Sequence, residues 1–406
     1  MDKVFAKYPP LNDGVELKVD KIKLEESKYY GEISVISGLR HGRGIDITNE
    51  GGKYEGTWVN NVPEGKGKFT FENGEYYEGD FIGGSKEGHG FYMFNNKSSY
   101  NGEWKNNRKN GYGILISSDG DKYEGYFMDN KKHGKGILTT KNGSVYKGDF
   151  YENNIQGYGI HSFNKTTYEG NWVNHERNGK GIETYSSGAK YEGNFVNNSK
   201  EGIGIYVFPN GDKYEGEFKD DTRSGKGIVY YSGGGKYEGD FKDGLEDGEG
   251  ILEVKEYKYV GTFEKGIKSG RGVMEFSTGA KYEGEFSNNT INGKGKVSDT
   301  NGVTIEGTFI NGQLNGQGKI VYVGGSTYVG EVKNNLRHGK GILIESDGTK
   351  YEGDFVNNKK EGYGLITTKD QTQIRGNFKD DIPVGDVEVC LPGKELWETV
   401  NLDKKS

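Results

Sequence analysis

The sequence predicts an all-β fold, an elongated single-layer antiparallel β-sheet solenoid of about sixteen 23-residue β-hairpin repeats. Three observations support this prediction. A tyrosine-x-glycine motif recurs along the chain, the residues around each motif alternate between apolar and polar as in a β-strand, and turn-forming residues separate the alternating runs. A fixed period of about 20–50 residues is typical of a repeat array, in which each unit packs mainly on its neighbours.

The first residue of each motif, called the anchor below, defines the period. Of the fifteen intervals between anchors, twelve are 23 residues, two are 22 and the first is 25. Positions within a repeat are counted from its anchor, so that +4 is the fourth residue after it. The sixteen anchors are Tyr29, Tyr54, Tyr77, Tyr100, Tyr123, Tyr146, Tyr168, Tyr191, Tyr214, Tyr237, Tyr259, Tyr282, Ile305, Tyr328, Tyr351 and Ile374.

One repeat, residues 54–76, shows how the period becomes a hairpin. Residues 54–58 alternate aromatic residues or glycine with polar residues, as a strand does. Residues 60–64, Asn-Asn-Val-Pro-Glu, are predicted to form a turn, because asparagine tolerates left-handed backbone and proline presets φ. Residues 65–71 alternate again, and Asn73-Gly74 is a strong signal for a tight turn into the next repeat.

The aromatic residues and the glycines are predicted to share one face of the sheet. Tyr54, Gly56 and Trp58 point to the same side, and a regular register places both glycines of Gly65-Lys66-Gly67 there too. Glycine is tolerated in a strand where something packs closely on it, so neighbouring rings are expected to cover these glycines. The opposite face carries charge, as in the Lys-Tyr-Glu-Gly motif that occurs seven times, and ion pairs there contribute about 0.2–1 kcal/mol each.

The two ends of the chain depart from the repeat pattern. We expect an N-terminal cap over 1–28, a repeat solenoid over 29–387 and a C-terminal cap or tail over 388–406. The alternation of apolar residues from Val15 to Val19 predicts a capping strand. Terminal repeats are commonly atypical, and the last one has Gly385-Asp386-Val387 where glycine-x-glycine is expected.

The composition favours a repeat protein inside the cell. Only 31% of residues are hydrophobic, mean hydropathy is −0.87 and glycine numbers 70, so compact domains are not expected. The net charge of −7 argues against nucleic acid as a partner. A single cysteine, Cys390, fits a reducing compartment, and the segment 1–12 lacks the apolar core of a signal peptide. We therefore expect a soluble intracellular protein.

Two segments carry a resemblance to a known family. The sequences KYEGEFSNNTINGKGKV at 281–297 and KYEGDFVNNKKEGYGLI at 350–366 resemble the MORN repeat (membrane occupation and recognition nexus). The resemblance extends from Tyr29 to about Val387, with isoleucine at two anchors as the main departure. It implies a β-hairpin solenoid that acts as a non-catalytic structural scaffold or protein-interaction module in a large assembly.

The resemblance also implies a cellular setting. MORN proteins serve in radial spoke heads of cilia and flagella, at cortical and junctional membranes, and as appendages on lipid kinases and methyltransferases. We expect a radial-spoke-head-like component of a ciliary axoneme, with other axonemal proteins, or a second copy of the chain, as partners. The alternative is a scaffold at the cell cortex that binds anionic lipid or membrane proteins.

The sequence predicts no enzyme activity, no cofactor and no metal. Its glycine-x-glycine pairs are not the longer phosphate-binding pattern and do not open a helix. His41, His133 and His338 each precede the first glycine of such a pair, but in repeats far apart along the chain. They are therefore not predicted to form a metal cluster.

Two surfaces are candidates for partner binding. A one-layer sheet cannot cover both of its faces, so part of the aromatic row is expected to stay accessible, and exposed aromatic surface of this extent marks interaction sites. An alternative is that curvature and neighbouring rings bury the row completely. The aromatic candidates, chosen from the middle of the array, are Tyr123, Phe127, Tyr191, Phe195, Tyr214 and Phe218.

The second candidate surface is a row of basic residues at position +9. This position is predicted to lie in the hairpin turn, so the row would line one long edge of the sheet, either as solubility charge or as a docking rail for an acidic protein or anionic lipid. The basic candidates are Lys109, Lys132, Lys200 and Arg223. The other basic residues at +9 are Lys86, Arg177, Lys268, Arg337 and Lys360.

Overall fold

A computed structural model describes residues 2–402 as almost entirely β-structure. One short helix, α1 (Asp2–Lys7), precedes thirty-four strands among these residues. The chain separates into two compact units, Met1–Glu201 and Gly202–Ser406, and each is described by itself.

The first unit holds α1 and the strands up to β16, and β17 spans the division. Its strands are β1 (Leu17–Lys23), β2 (Ser27–Ser34), β3 (Arg40–Thr48), β4 (Lys53–Val59), β5 (Val62–Thr70), β6 (Tyr76–Ile82), β7 (Ser85–Met93), β8 (Ser99–Lys105), β9 (Arg108–Ile116), β10 (Lys122–Met128), β11 (Lys131–Thr139), β12 (Val145–Tyr151), β13 (Asn154–Phe163), β14 (Thr166–Val173), β15 (Glu176–Thr184), β16 (Lys190–Val196) and β17 (Ser199–Val207).

The second unit continues the same alternation of short and long strands. Its strands are β18 (Lys213–Lys219), β19 (Thr222–Tyr230), β20 (Lys236–Lys242), β21 (Leu245–Glu253), β22 (Tyr257–Glu264), β23 (Ile267–Phe276), β24 (Lys281–Ser287), β25 (Thr290–Ser298), β26 (Thr304–Ile310), β27 (Gln313–Val321), β28 (Thr327–Lys333), β29 (Leu336–Ile344), β30 (Lys350–Val356), β31 (Lys359–Thr367), β32 (Gln373–Lys379), β33 (Ile382–Cys390) and β34 (Glu398–Asn401).

Each unit is an antiparallel meander. Consecutive strands pair from β1 to β16 in the first unit, and from β17 to β34 in the second. Strands β2 to β33 supply two strands for each predicted repeat, so the prediction of sixteen hairpins is confirmed. The N-terminal strand expected near Val15–Val19 is β1, and the C-terminal segment 388–406 contributes β34, with residues 403–406 outside the described part of the chain.

After the first repeat, in which residues 35–39 connect β2 and β3, the hairpin turn is shorter than the sequence suggested. In the fifth repeat only Asp129 and Asn130 form it, with φ of 48° and 69°, the pair of positive angles that a two-residue type I′ turn requires. The second strand therefore begins at +8. The prediction of a five-residue turn over 60–64 is wrong, because β5 already begins at Val62.

The two glycines of glycine-x-glycine have different roles. The first one, Gly134 in the fifth repeat, has φ of 69° and stands at a β-bulge that shifts the register between Gly125 and Phe127. A Cβ added to it would meet Tyr126 on the charged face, so the prediction that both glycines share the aromatic face is wrong. Only the second glycine, Gly136, lies beneath the anchor ring.

The anchor tyrosine covers a pair of glycines that face each other across two strands. Gly125 pairs with Gly136, and a Cβ added to Gly136 would lie 2.5 Å from the Tyr123 hydroxyl oxygen. A Cβ added to Gly125 would lie 2.5 Å from the Cα of Gly136. The Tyr123 hydroxyl donates to the carbonyl oxygen of Tyr126 at 2.9 Å. This satisfies the polar end of a ring that is otherwise in the core.

The anchor rings and the rings at +4 form a ladder of edge-to-face contacts in each unit. Most +4 rings touch their own anchor ring and the anchor ring before it, with centroids 4.9–5.6 Å apart. Such pairs contribute about 0.5–1.5 kcal/mol beyond the area they bury. The first-unit ladder runs through Tyr29, Trp58, Tyr54, Phe81, Tyr77, Trp104, Tyr100, Phe127, Tyr123, Phe150, Tyr146, Trp172, Tyr168, Phe195 and Tyr191.

The second-unit ladder is interrupted at the thirteenth repeat. It runs from Phe218 to Phe309 and resumes from Tyr328 to Phe378. The anchor of that repeat is Ile305, and position +9 is a leucine, Leu314, which is 1% exposed. A Cβ on Gly318 would meet the Leu314 side chain at 2.9 Å, where other repeats would place an anchor ring.

Neighbouring repeats are also joined through the hairpin turns. The Asn130 side chain at +7 accepts a hydrogen bond from the backbone N–H of Lys109, position +9 of the repeat before, at 2.9 Å. The Asn130 N–H donates to the Lys109 carbonyl oxygen, also at 2.9 Å. The same side-chain bond, at 2.7–2.9 Å, is made by Asn107, Asn153, Asn198, Asn289, Asn335, Asn358 and Asp381. Asn61 makes it to Arg40, which is at +11 because the first repeat is two residues longer.

Candidate interaction groove

The aromatic face is the core of the protein and is not an open surface. The six aromatic candidates, Tyr123, Phe127, Tyr191, Phe195, Tyr214 and Phe218, are 0–5% exposed. The expectation that this row stays accessible is wrong, because each ring is enclosed by its ladder neighbours and the glycine backbone beneath it. Contact of these residues with a partner stays a prediction, and it would require the ladder to open.

The basic residues at +9 lie within strands and over the rings. Lys132 pairs with Phe127 across the hairpin, and its Nζ lies 5.1 Å from the centroid of Tyr123. The Arg223 guanidinium lies 5.4 Å from Tyr214 and 5.2 Å from Phe241. Lys109 and Lys200 occupy the same place in their repeats. The prediction that the row lines a turn edge is wrong, because the two-residue turn brings +9 opposite +4.

Desolvation marks three of the basic residues at +9 as part of the core layer. Burial lowers the pKa of Lys86, Lys109 and Lys132, as expected for an ammonium taken from water. Cation–π contacts offset part of that cost, at about 0.5–2 kcal/mol each. Partner binding by Lys109, Lys132, Lys200 and Arg223 stays a prediction, and their first role here is to cover the ladder.

The opposite face of the sheet carries a groove above the glycines. One row of side chains comes from positions +1 and +14, such as Glu124, which pairs with Ile114 and Ile137. A second row comes from positions +3 and +12, such as Tyr126, whose ring meets Tyr112 edge-on at 5.6 Å. Between the rows run the glycines at +2 and +13, so the floor there is backbone. We call the space between the two rows the groove.

The groove is well formed in the second unit. From the tenth to the thirteenth repeat it has a volume of about 1030 Å³. Val260 and Val273 form a paired apolar stretch in one wall. Glu285 and Arg271, a cross-strand pair, stand in the other wall. The groove therefore presents backbone, aliphatic and charged surface together, which suits a polypeptide better than a small molecule.

Ion pairs flank the groove as the sequence predicted. The +12 lysine reaches the +3 carboxylate of the next repeat, as in Lys135–Asp149 at 2.6 Å and Lys226–Asp240 at 2.6 Å. These pairs are exposed, so each contributes little. All seven Lys-Tyr-Glu-Gly motifs form an ion pair between their lysine and glutamate, at Lys53, Lys122, Lys190, Lys213, Lys236, Lys281 and Lys350.

In the first unit the start of the chain lies in the groove. We call residues 2–16 the N-terminal arm. Its helix α1 contacts β3, and Val4 and Tyr8 are buried. Lys7, Tyr8 and Pro9 line one cavity with residues of the second to fourth repeats, including Glu78 and Phe91. This contact could not be predicted from the sequence, because the arm lies outside the period and carries no motif.

The described residues show no cluster typical of a metal site. Across residues 2–402, no three His, Cys, Asp or Glu side chains are grouped to hold a metal ion. His41, His133 and His338 stay in their separate repeats. No helix in the same range is both long enough and apolar enough to cross a membrane.

Comparison with known families identifies the repeat. The sequence model of the MORN repeat matches fourteen segments, at 54–76, 77–99, 100–122, 123–145, 146–165, 168–190, 191–213, 214–236, 237–253, 259–281, 282–304, 306–327, 328–350 and 351–373. The chain belongs to the MORN repeat family. The first and last hairpins of this MORN protein, anchored at Tyr29 and Ile374, lie outside the matched segments. The first hairpin has an anchor ring packed over paired glycines, as the matched repeats do. The last hairpin has aliphatic side chains in place of that ring.

Comparison with individual proteins adds little to what the family match shows. None of the curated proteins compared with this MORN chain matches it. Among solved structures, the TCP domain of SAS-4 from Drosophila melanogaster, in complex with a proline-rich motif, is 13% identical with a TM-score of 0.26, over 38% of this chain and 84% of that one. A streptogramin B lyase is 14% identical with a TM-score of 0.12, over 70% and 91% of the two chains.

Proposed function

We propose that this MORN protein is a non-catalytic scaffold that binds segments of partner proteins along the groove. The observation that carries the proposal is the open groove of the second unit, where backbone, aliphatic and charged surface repeat at regular intervals. Each repeat offers a similar weak contact, so affinity can build by avidity along the array. The family supports a role in protein interaction or membrane association, and the groove favours the first.

Substitution of the groove wall tests this proposal. Val260→Arg with Val273→Arg places long charged side chains across the paired apolar stretch and leaves the ring ladder intact. We expect native circular dichroism and loss of recruitment of the tagged protein to its assembly in cells. Ile310→Arg is the matched control, since Ile310 is an exposed apolar residue near a turn and does not line the groove. Normal recruitment of the double variant would contradict the proposal.

We further propose that the assembly is the ciliary axoneme, with the protein as a radial-spoke-head-like component. The support is the family's use in radial spoke heads and a chain largely made of repeats. Imaging of the tagged protein in ciliated cells tests this setting, because an axonemal component colocalises with axonemal tubulin along the cilium. A uniform cytosolic signal would count against the axoneme.

A cortical, membrane-associated scaffold is the second candidate. Lys294, Lys296 and Lys319 are exposed on the groove face of the second unit and present positive charge that anionic lipid attracts. Sedimentation with phosphatidylcholine vesicles, with and without phosphatidylserine, tests it. Binding that requires phosphatidylserine and is lost in the Lys294→Glu, Lys296→Glu variant would favour the cortex. No binding to either vesicle would remove the support for this candidate.

A further inference from the structure

The N-terminal arm is seated in the groove as a bound peptide would be. Tyr8 directly follows α1, and its N–H donates to the Val4 carbonyl oxygen at 3.0 Å, which continues the helical turn. The two side chains therefore lie on the same side of that turn, and both are buried. Burial also raises the pKa of the Tyr8 phenol. These two side chains hold the arm on the sheet.

Polar contacts also hold the arm between Val4 and Tyr8. The Arg43 guanidinium donates to the carbonyl oxygen of Phe5 at 3.1 Å and lies 4.6 Å from the centroid of its ring. Glu32 holds that guanidinium with an ion pair of 2.7 Å. Lys7 pairs with Glu78 at 2.7 Å. The arm thus uses Glu32 at +3 and Arg43 of the first repeat and Glu78 at +1 of the third. Arg43 is at +14, but it pairs with Thr57 as a +12 residue does, because the first repeat is two residues longer. All three stand at positions that form the groove walls.

The footprint of the arm is visible in the exposure of the groove wall. At +3 in the first two repeats, Glu32 and Thr57 are 8% and 2% exposed. At the same position in the fifth repeat, Tyr126 is 52% exposed. The arm covers the groove where it lies and leaves it open farther along the first unit.

The arm is tied down once more before the sheet begins. The Asp13 carboxylate accepts from the buried His41 ring at 2.6 Å, and this contact lowers the pKa of Asp13. Residues 9–16 between the helix and β1 form neither helix nor strand. A short tether of this kind holds a weak ligand at a high effective concentration, on the order of millimolar.

We propose that the groove over the first four repeats is a binding site for a short helical segment with two apolar side chains one turn apart and a lysine beside the second, and that the N-terminal arm is its intramolecular ligand. A partner segment of that pattern competes with the arm for the site. The inference deepens the proposed function and rests on it, because it names the kind of partner that the groove accepts.

Binding of a labelled peptide of residues 2–12 to the full chain tests the proposal. In the wild-type chain the arm fills the site, so the peptide should bind weakly. In a full-length Val4→Asp, Tyr8→Asp variant the arm is released, and the peptide should bind at least tenfold more tightly. Full-length Tyr8→Ala is a milder second variant, and circular dichroism verifies that the strands of both remain folded. Equal weak binding to all three chains would overturn the proposal.

A charge exchange locates the peptide in the groove. In the released chain, Glu78→Lys should weaken the peptide several-fold, and a peptide with Lys7→Glu should regain that loss. Glu124→Lys is the matched control, because it has the same +1 position in the fifth repeat, outside the footprint of the arm. Binding that ignores Glu78→Lys, or that responds equally to Glu124→Lys, would overturn the proposed site.

The two proposals fail in different assays. The peptide experiment uses no cellular partner. Suppose that it fails while the Ile310→Arg protein is recruited normally and the Val260→Arg, Val273→Arg protein is not. That combination overturns only the inference about the arm. Normal recruitment of the latter variant contradicts the proposed function.

Discussion

Each anchor tyrosine needs two glycines, and this need explains where glycine is fixed in the repeat. The ring occupies the volume where Cβ atoms at +2 and +13 would stand, and the two glycine backbones are themselves in close contact. The glycine at +11 serves another purpose, since it provides the positive φ of the bulge. Three glycines in one repeat thus answer to two separate physical requirements.

A pair of neighbouring substitutions tests the requirement at +2. Gly216→Val should destabilise the protein by about 1–3 kcal/mol or more, because its Cβ would lie 2.5 Å from the Tyr214 hydroxyl oxygen and 2.6 Å from the Cα of Gly227. Glu215→Val, on the groove face, should change stability far less. Thermal denaturation compares the two, and equal melting temperatures would contradict the assignment of faces.

The thirteenth and sixteenth repeats show what happens when the ring is missing. In the thirteenth, Ile305 replaces the anchor and Leu314 replaces the cation at +9. In the sixteenth, Ile374 is the anchor and Val387 stands at +13, where a Cβ on Gly376 would meet its Cγ1 at 2.9 Å. Aliphatic side chains from other positions fill the volume of the absent ring. The substitutions therefore come in compensating sets.

A double-mutant cycle tests this compensation. Ile305→Tyr alone should destabilise, because Leu314 occupies the place of the ring, and Leu314→Lys alone should destabilise by leaving a cavity and burying a charge. The double variant restores the usual tyrosine with its cation and should be more stable than the sum of the two single effects predicts, by about 0.5–3 kcal/mol. Additive losses in urea denaturation would argue against the coupling.

At the level of the hairpin, position +7 of one repeat matches position +9 of the repeat before. The asparagine side chain accepts from the +9 N–H in both units. The third repeat is an informative exception. Its +7 residue is Gly84 and the preceding +9 residue is Pro63, which has no N–H to donate, and only the backbone bond from Gly84 to Pro63 remains, at 3.0 Å.

Substitution of one turn asparagine measures the value of this bond. Asn130→Gly keeps a residue that tolerates positive φ but removes the acceptor, and it should cost about 1 kcal/mol. Asn130→Asp keeps the acceptor, as Asp381 does naturally at 2.8 Å, and should cost less. Amide hydrogen exchange at Lys109 provides a local readout, faster in the glycine variant alone. Equal exchange in both variants would mean that the side-chain bond contributes nothing.

The hairpins could be predicted from the sequence because strand period and turn chemistry repeat sixteen times. The turn length could not, since Val62-Pro63-Glu64 carries turn-like residues that the structure places in β5. Because of that error, the +9 cations were predicted to lie along an edge of the sheet and not over the rings. The groove was missed because its floor is backbone, and the N-terminal arm was missed because a contact between distant segments leaves no local pattern.

Across the molecule as a whole, the core depends on phenols that must stay protonated. Burial raises the pKa of anchors in both units, to about 12 for Tyr168, Tyr214 and Tyr282. The unfolded phenol ionises near 10. Between these values the folded chain holds protons that the unfolded chain has lost, so rising pH favours unfolding. The lowered pKa of Lys109 has the opposite effect on stability as pH rises, because the desolvation cost of its ammonium disappears once the group is neutral.

The protein should therefore unfold in alkali over a narrow range of pH. We expect stability to fall steeply between about pH 10 and 12, because many anchors titrate together and each adds to the slope. Circular dichroism should report loss of β-structure in step with phenolate absorbance. Full ionisation of the tyrosines with the sheet still intact would contradict the link between the anchors and the fold.

The bond between +7 and +9 also bears on how such an array could lengthen. A copied repeat brings a +7 acceptor for the repeat that precedes it in the chain and a +9 donor for the repeat that follows it. Most tandem copies would therefore meet a chemically suitable neighbour on both sides. A copy of the second repeat would not, because Pro63 offers no donor to a following asparagine such as Asn61. The seam of such a copy would keep only the backbone bond, as between Gly84 and Pro63.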